Sequence, residues 1–463
     1  PKTPGKFMMR LRIPNGILQA NQLKVISSIV NRYEETGNCD ITTRQNLQLR
    51  GILLGDLPEI IRRLKSVNLY TIQSGFDNPR NITGNPLAGI DPEEIIDTRK
   101  YTNDLDSYFT NNGEGNYDFS NLPRKWNVAV AGSKDNFLLH NDLIFHPVKK
   151  GNIDGFSIWV GGVLSSVMNK YAIPLNAWIP EEDICHIAGI ICKIWRNNGE
   201  RNIRQKGRFR FYLDAIGIEE FRKKVEKEYG SLHKDPGSEF NQNQRNHFGI
   251  HSQKQIGFHY AGIHVPVGRL AAEDLQNLAQ LAEKYGNGEI RLTEDQNIII
   301  SGIKTKQLET FSSEILSSQF SINPEKIISG TVACTGKTYC SFANANTKDQ
   351  ALKVAKELDK ELDISQDIKI HWTGCPNSCG QAFMGEIGLT GTKIRNTAGE
   401  IVEAFNITLG GNQGEKPKLG SLYQKAVPTY ELKDVIKKIL IMDYGAKPKS
   451  INKTDQQISF IAA

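Results

Sequence analysis

The chain has 463 residues, of which 23% are charged, 39% hydrophobic and 8% aromatic, with a net charge of +6. That length exceeds what a single core supports and predicts about three domains. The composition excludes long disorder, and no apolar run reaches the ~18 residues of a membrane-spanning helix. With 57 basic against 51 acidic residues, the charge suits an anionic substrate or an acidic partner better than nucleic acid. There are seven cysteines. An odd number, partly clustered at metal-ligand spacing, fits a reducing compartment better than a disulfide framework. Cys39, Cys185 and Cys192 stand apart and read as buried free thiols. The chain opens at Pro1 without a Met, so trimming of an original N-terminus is expected.

In chain order, the first observation is a repeat. Residues 7–53 and 258–303 match. Arg12-Ile13-Pro14-Asn15-Gly16 faces His264-Val265-Pro266-Val267-Gly268, and Leu23, Ile26, Val30 and Tyr33 recur as Leu275, Leu278, Ala282 and Tyr285. Spacing of three and four marks one buried helix face. Residues 40–47 then match 292–298, one residue shorter, and the alternation of Leu47 and Leu49 with polar residues predicts a strand. Each copy is therefore expected as strand, helix, strand. Ser74 with Gly75 matches Ser329 with Gly330, and the charged amphipathic stretch 221–230 is echoed at 432–445. So many matches in one register indicate a duplicated unit about a pseudo-two-fold axis, with ligands in the cleft where the halves meet. The copies diverge in charge: Arg44 in the first stands where Asp295 stands in the second.

Within the first half, residues 77–86 are rich in Pro, Gly and Asn and predict a turn-rich loop carrying Arg80. Alternation along the approach to Val128 places Lys125 and Asn127 on one side, away from Trp126. A cation beside an amide donor makes a small anion grip. Taken alone, Arg80 reads as an exposed loop arginine and Lys125 with Asn127 as a solvated strand edge. Residues 193–210 carry seven basic side chains opposed only by Glu200. That run reads either as an anion- or donor-binding strip or as a solvated helix end leading into a strand over 209–213. Asn241-Gln242-Asn243-Gln244 reads as the linker between halves.

The second half holds Cys334-Thr-Gly-Lys-Thr-Tyr-Cys340 and Cys375-Pro-Asn-Ser-Cys379. A helix over 347–362 and a strand over 368–371 would bring the pairs together. Four thiolates from two converging loops can hold tetrahedral zinc or an iron–sulfur cluster, and the absence of tight C-x2-C knuckles favours the cluster. Pro376 predicts a helix start, with Cys375 and Cys379 one turn apart near its positive dipole end. Residues 386–391 and 407–412 read as strands ending in glycines, and the segment after Gly445 as a loose terminus. No G-x-G-x-x-G opens a βαβ unit and no P-loop occurs, so electrons must come from another protein.

These motifs carry a resemblance. His371-Trp372-Thr373-Gly374-Cys375-Pro376-Asn377-Ser378-Cys379-Gly380-Gln381, with Cys334-Thr335-Gly336 and Cys340, resembles the cluster motifs of siroheme-dependent nitrite and sulfite reductases. The resemblance implies an α+β fold of duplicated halves with pseudo-two-fold symmetry, in which ferredoxin-like βαβ units join larger mixed α/β domains and the active site lies at their interface. It implies ferredoxin-like copies at 1–70 and 250–320, a siroheme and substrate domain at 71–240, and a cluster domain at 321–463. Cys334, Cys340, Cys375 and Cys379 would bind [4Fe-4S], with Cys379 also bridging to siroheme. Arg44, Arg80 and Lys125 match the family's basic residues at siroheme and substrate, with Gln45 and Asn377 as further cofactor contacts. Asn127 stands where sulfite reductases tend to carry a second lysine; a neutral donor suits the less charged nitrite. Trp372 also looks like the nitrite branch. The expected activity is therefore nitrite reduction to ammonium with ferredoxin as donor, in nitrate assimilation. A sulfite reductase of the same fold is the nearer alternative, and a zinc-bound structural or RNA-binding protein the farther one. A monomer is expected, in cytoplasm of the cyanobacterial type or else in plastid stroma.

Overall fold

The computed structural model describes residues 4–133, 138–237, 247–316, 320–414 and 416–449. The repeat is visible down to single backbone torsions. Copy one runs through strands Lys6–Arg10 and Ile17–Gln19, helix Ala20–Tyr33, and strands Asn38–Ile41 and Leu47–Leu53. Copy two runs through Phe258–Ile263, Arg269–Ala271, helix Ala272–Tyr285, Glu289–Leu292 and Ile298–Lys304. Left-handed residues recur at matching places: Asn15 and Val267, Gly16 and Gly268, Gln45 and Gln296. A valine at φ 48 is costly in isolation, so the surrounding fold imposes this conformation twice.

The copies are interlocked rather than merely adjacent. Arg269–Ala271 of copy two pairs with Asn38–Ile41 of copy one, and Ile17–Gln19 of copy one pairs with Glu289–Leu292 of copy two. Each exchange needs a glycine: a Cβ on Gly16 would meet the carbonyl oxygen of Leu292 at 2.5 Å, and one on Gly268 that of Ile41 at 3.0 Å. The two helices pack together, and Leu23, Ile26 and Val30 share one core with Leu275, Leu278 and Ala282. Each buried leucine, isoleucine or valine among them contributes about 1.5–3 kcal/mol, so neither copy keeps its core without the other.

The expected single strand over residues 40–47 is instead a hairpin. Asn38–Ile41 and Leu47–Leu53 flank a turn closed by the bonds from Gln45 N–H to Thr42 O and from Thr42 N–H to Asn46 O. Arg44 therefore sits on a turn tip, which projects it away from the sheet.

The larger units repeat as well. Thr83–Gly84, Val128–Val130 and Leu143–Pro147 run parallel, and Gly155–Val160 returns antiparallel. Thr331–Ala333, Ile370–Thr373 and Ile387–Arg395 run parallel, and Ile401–Leu409 returns antiparallel. Helix Arg99–Thr110 and helix Lys348–Glu361 occupy matching crossovers. Each unit has its own core, one around Trp126, Phe145 and Trp195, the other around Trp372, Phe405 and Leu358.

Residues 209–213 belong to helix Phe209–Ile216, not to a strand: Phe209 and Leu213 are buried one turn apart while Asp214 stays outside. Strand Ile387–Arg395 passes through Gly388 and Gly391 instead of ending there. Cys39 and Cys192 are buried, Cys185 only partly. The expected linker at 241–244 lies outside the described residues, as does the chain beyond 449; at the start of the segment expected as a loose terminus after Gly445, Lys447–Pro448 pairs with Leu362–Asp363. Among the described residues, no helix is long and apolar enough to cross a membrane.

Candidate active site

A cavity of about 550 Å3 lies between the halves. Its first-half wall is cationic. Arg44 donates from Nη1 to Asn141 Oδ1 at 3.0 Å and from Nη2 to the Asn81 carbonyl at 3.0 Å. Arg80 donates to the carbonyls of Ser74 and Phe76 at 3.3 and 2.8 Å. Lys125 and Asn127 line the same wall, while Trp126 between them is buried in the core. The Asn127 backbone N–H is held by Asp142 Oδ2 at 2.9 Å, and its side-chain Oδ1 is buried without a partner.

The second-half wall carries the thiols. All four cysteines line the cavity. Cys334 follows strand Thr331–Ala333, and Cys375 follows strand Ile370–Thr373. These strands are parallel neighbours, so their C-terminal ends deliver both motifs to one place. No helix starts at Cys375. The segment is a run of turns with Ser378 at φ 54. The expected dipole is replaced by single N–H groups: Gly374 N–H lies 3.2 Å from Cys334 Sγ, and those of Gly336 and Asn377 face Cys334 and Cys375. Such a nest stabilises anionic sulfur without a helix. The turns are compact because a Cβ on Gly380 would meet the Trp372 carbonyl oxygen at 2.1 Å. The halves are tied across the cavity by Thr43, whose hydroxyl donates to the Cys379 carbonyl at 3.0 Å.

Residues 75–232 and 326–445 match the model of the nitrite and sulphite reductase 4Fe-4S domain, and residues 1–67 and 251–318 that of the nitrite/sulfite reductase ferredoxin-like half domain. The chain belongs to the nitrite and sulphite reductase family. It is 46% identical to a ferredoxin–nitrite reductase of Synechococcus elongatus over 97% of this chain and 88% of that protein. It is 44% identical to a chloroplastic ferredoxin–nitrite reductase of Arabidopsis thaliana, over 96% of this chain and 77% of that protein. The solved structure of Mycobacterium tuberculosis NirA protein superposes with a TM-score of 0.89 at 28% identity, covering 98% of this chain and 84% of that one. Membership in this family sets aside the zinc-bound reading of the four cysteines.

The electrostatics of the cavity fit the family's anionic cofactors. Burial, then the neighbouring cations Arg10 and Arg44, pushes Arg80 down to about 9. Burial, then Arg208, pushes Lys125 down to about 7. The Nε atoms of Arg44 and Arg80 are buried without partners. Asp40, the one carboxylate among the described lining residues, is committed to ion pairs with Arg50 and Lys348. A buried cationic wall facing thiols is unstable alone and is completed by a polyanion. In the other direction, burial raises Cys375 to about 11 and Cys334 above its ordinary value, so metal binding at these two sulfurs must displace a proton.

Two predicted contacts lie outside the cavity lining. Gln45 is fully buried, and its amide spans the N–H and C=O of Gly84 at 2.8 and 3.0 Å. Asn377 is half-buried and offers its N–H to Cys375. The lining also includes Arg10 and His140. Arg10 ends strand Lys6–Arg10 and donates to the Ser74 carbonyl at 2.8 Å. His140 is buried, touches the Gln381 amide at 3.1 Å, and is pushed down to about 3 by burial and then by Arg44 and Lys125. No motif or periodicity marks either. The basic run 193–210 is largely consumed by acids: Lys193 meets Asp118, Arg204 meets Asp77, Arg208 meets Asp142, and Arg210 meets Asp214. It is a set of braces rather than a bare strip.

Proposed function

We propose that this chain carries out the six-electron reduction of nitrite to ammonium, with reduced ferredoxin as donor and nitrate assimilation as the setting. Cys334, Cys340, Cys375 and Cys379 would hold a [4Fe-4S] cluster, with Cys379 also joining it to siroheme. When bound, these groups supply the electron-transfer chemistry. The observation that carries the reading is the single cavity in which four thiols of one half face Arg44, Arg80, Lys125 and Asn127 of the other. The relatives named as ferredoxin–nitrite reductases support the donor and the substrate.

The residues' own contributions follow from their chemistry. Arg44 and Arg80, each anchored by two hydrogen bonds, orient an anion and polarise its N–O bonds. Neither gives up its proton readily. Lys125 does, since burial brings it to about 7, and it is the group placed to hand protons to departing oxygens. Asn127 favours nitrite over sulfite, because a second lysine there would suit the more highly charged anion. Relatives are both cyanobacterial and chloroplastic; we favour a monomer in cytoplasm of the bacterial type, with plastid stroma as the alternative.

The test is direct. Protein purified anaerobically after cofactor-replete expression should show the visible absorption of both groups. Steady-state rates with reduced ferredoxin should favour nitrite over sulfite and fall with added salt. A preparation without iron or tetrapyrrole, or one that turns over sulfite faster than nitrite, would overturn the reading.

A further inference from the structure

Arg208 of the basic run is buried and does not itself line the cavity, but its partner Asp142 holds the backbone of Asn127, which does. Arg208 is 3% exposed and Asp142 is fully buried. Arg208 Nη2 lies 3.0 Å from Asp142 Oδ1 and 2.9 Å from Oδ2, while Nη1 lies 3.4 Å from the Leu164 carbonyl. Asp142 Oδ2 also accepts the backbone N–H of Asn127. One carboxylate thus binds Arg208 and the residue that faces substrate.

The duplicated half shows which part of this arrangement is inherited. Asn127 immediately precedes strand Val128–Val130, and Asp142 immediately precedes Leu143–Pro147. In copy two Lys369 immediately precedes Ile370–Thr373, and Glu386 immediately precedes Ile387–Arg395. Lys369 N–H donates to Glu386 Oε2 at 2.8 Å, the counterpart of the 2.9 Å bond from Asn127 to Asp142. The carboxylate clip between neighbouring strand starts therefore belongs to the repeated frame. The arginine does not: among the described residues, no arginine bonds to Glu386.

What distinguishes the first half is the presence of cations that must stay available. Arg44 and Lys125 both lie within electrostatic reach of Asp142. In a buried site, attraction between a lone carboxylate and either cation would be strong. Arg208 engages both carboxylate oxygens, which removes that option. We propose that Arg208 is a positioning residue for anion binding: it holds Asp142 against the backbone of Asn127 and so keeps Asp142 from pairing with Arg44 and Lys125. The proposal rests on the reading of the cavity as the site that binds the substrate anion.

The experiment measures dissociation constants of nitrite and sulfite from the visible spectrum of the holoenzyme, alongside kcat and KM. Arg208→Gln frees Asp142 to turn on the cradle cations, and nitrite affinity should fall about tenfold, with KM moving more than kcat. Adding Asp142→Asn removes the competing carboxylate and should bring affinity back to within about threefold of wild type. A purely structural role predicts the opposite, since the double variant has lost both partners. If Arg208→Gln does not fold, Arg208→Lys keeps the charge but not the two-oxygen grip and should weaken nitrite about threefold. Unchanged affinity in the single variant, or no recovery in the double variant, overturns the proposal. A wild-type preference for sulfite, with both affinities still falling in Arg208→Gln, refutes the nitrite reading and leaves this one standing.

Discussion

In copy one, the hairpin turn carries Arg44 and the adjoining strand start carries Asn127; in copy two the same two places carry Asp295 and Lys369. The second pair closes on itself, with Lys369 Nζ 2.6 Å from Asp295. These residues line a smaller cleft of about 290 Å3, together with Glu386. The backbone frame is the same in both, including the carboxylate clip between strand starts, so the frame alone does not select an anion. What differs is which charges are left unspent. Copy two neutralises its cation internally, whereas copy one holds Arg44 with carbonyl and amide oxygens, which orient it without cancelling its charge.

That contrast can be broken by substitution. The largest effect is expected at the wall opposite the cations. Cys379→Ser should abolish nitrite turnover, a loss of at least about a thousandfold, and remove the spectral coupling between cluster and siroheme. Unchanged spectra with retained activity would mean that Cys379 is not the bridge. Next comes Arg44→Asp, which gives copy one the residue of copy two. It puts a carboxylate among Lys125, Arg80 and Arg10 and should lower kcat/KM for nitrite by about a hundredfold or more; a loss under about fivefold would remove Arg44 from the substrate wall. Asn127→Lys makes the second exchange between copies. It should raise the sulfite-to-nitrite rate ratio by about tenfold, and an unchanged ratio would take Asn127 out of the specificity argument.

Much of this was legible because the duplication leaves two samples of one pattern. Leu23, Ile26 and Val30 recur as Leu275, Leu278 and Ala282, and the cysteine spacing marks a metal centre, zinc or cluster, between which the family motif decides. The illegible parts share a physical cause: each depends on contacts between distant segments. Nothing local distinguishes Arg208, which is buried against Asp142, from Arg201, which is exposed. Arg10 and His140 reach the cavity only because the sheets bring them there. The expected helix at Pro376 fails because the segment must bend back at Ser378, with Gly380 pressed on the Trp372 carbonyl, a constraint set by the neighbouring strand. Strand exchange between the copies is also invisible to periodicity, which fixes a face but not a partner.

The smallest expected effect concerns a carboxyl that copy two sends towards the cradle. Glu294 occupies the place of Thr43. Thr43 uses its hydroxyl to hold the Cys379 turn, whereas Glu294 lies within reach of Arg44 and leaves Oε1 buried without a partner. Burial outweighs the pull of Arg44, the nearby Asp295 adds repulsion, and the carboxyl is pushed up from 4.5 to about 8. The folded protein therefore holds this proton more tightly than the unfolded chain. Its contribution to stability is complete below pH 4.5 and is lost as pH rises through about 8. Glu294→Gln, neutral throughout, should match wild type near pH 5 and exceed it near pH 8 by a few degrees in Tm, about 2–4 °C. If the difference in Tm is instead the same at both pH values, Glu294 is ionised in the folded state. Arg44 would then be partly neutralised from behind, and the contrast between a spent cation in one copy and an unspent one in the other would lose its basis.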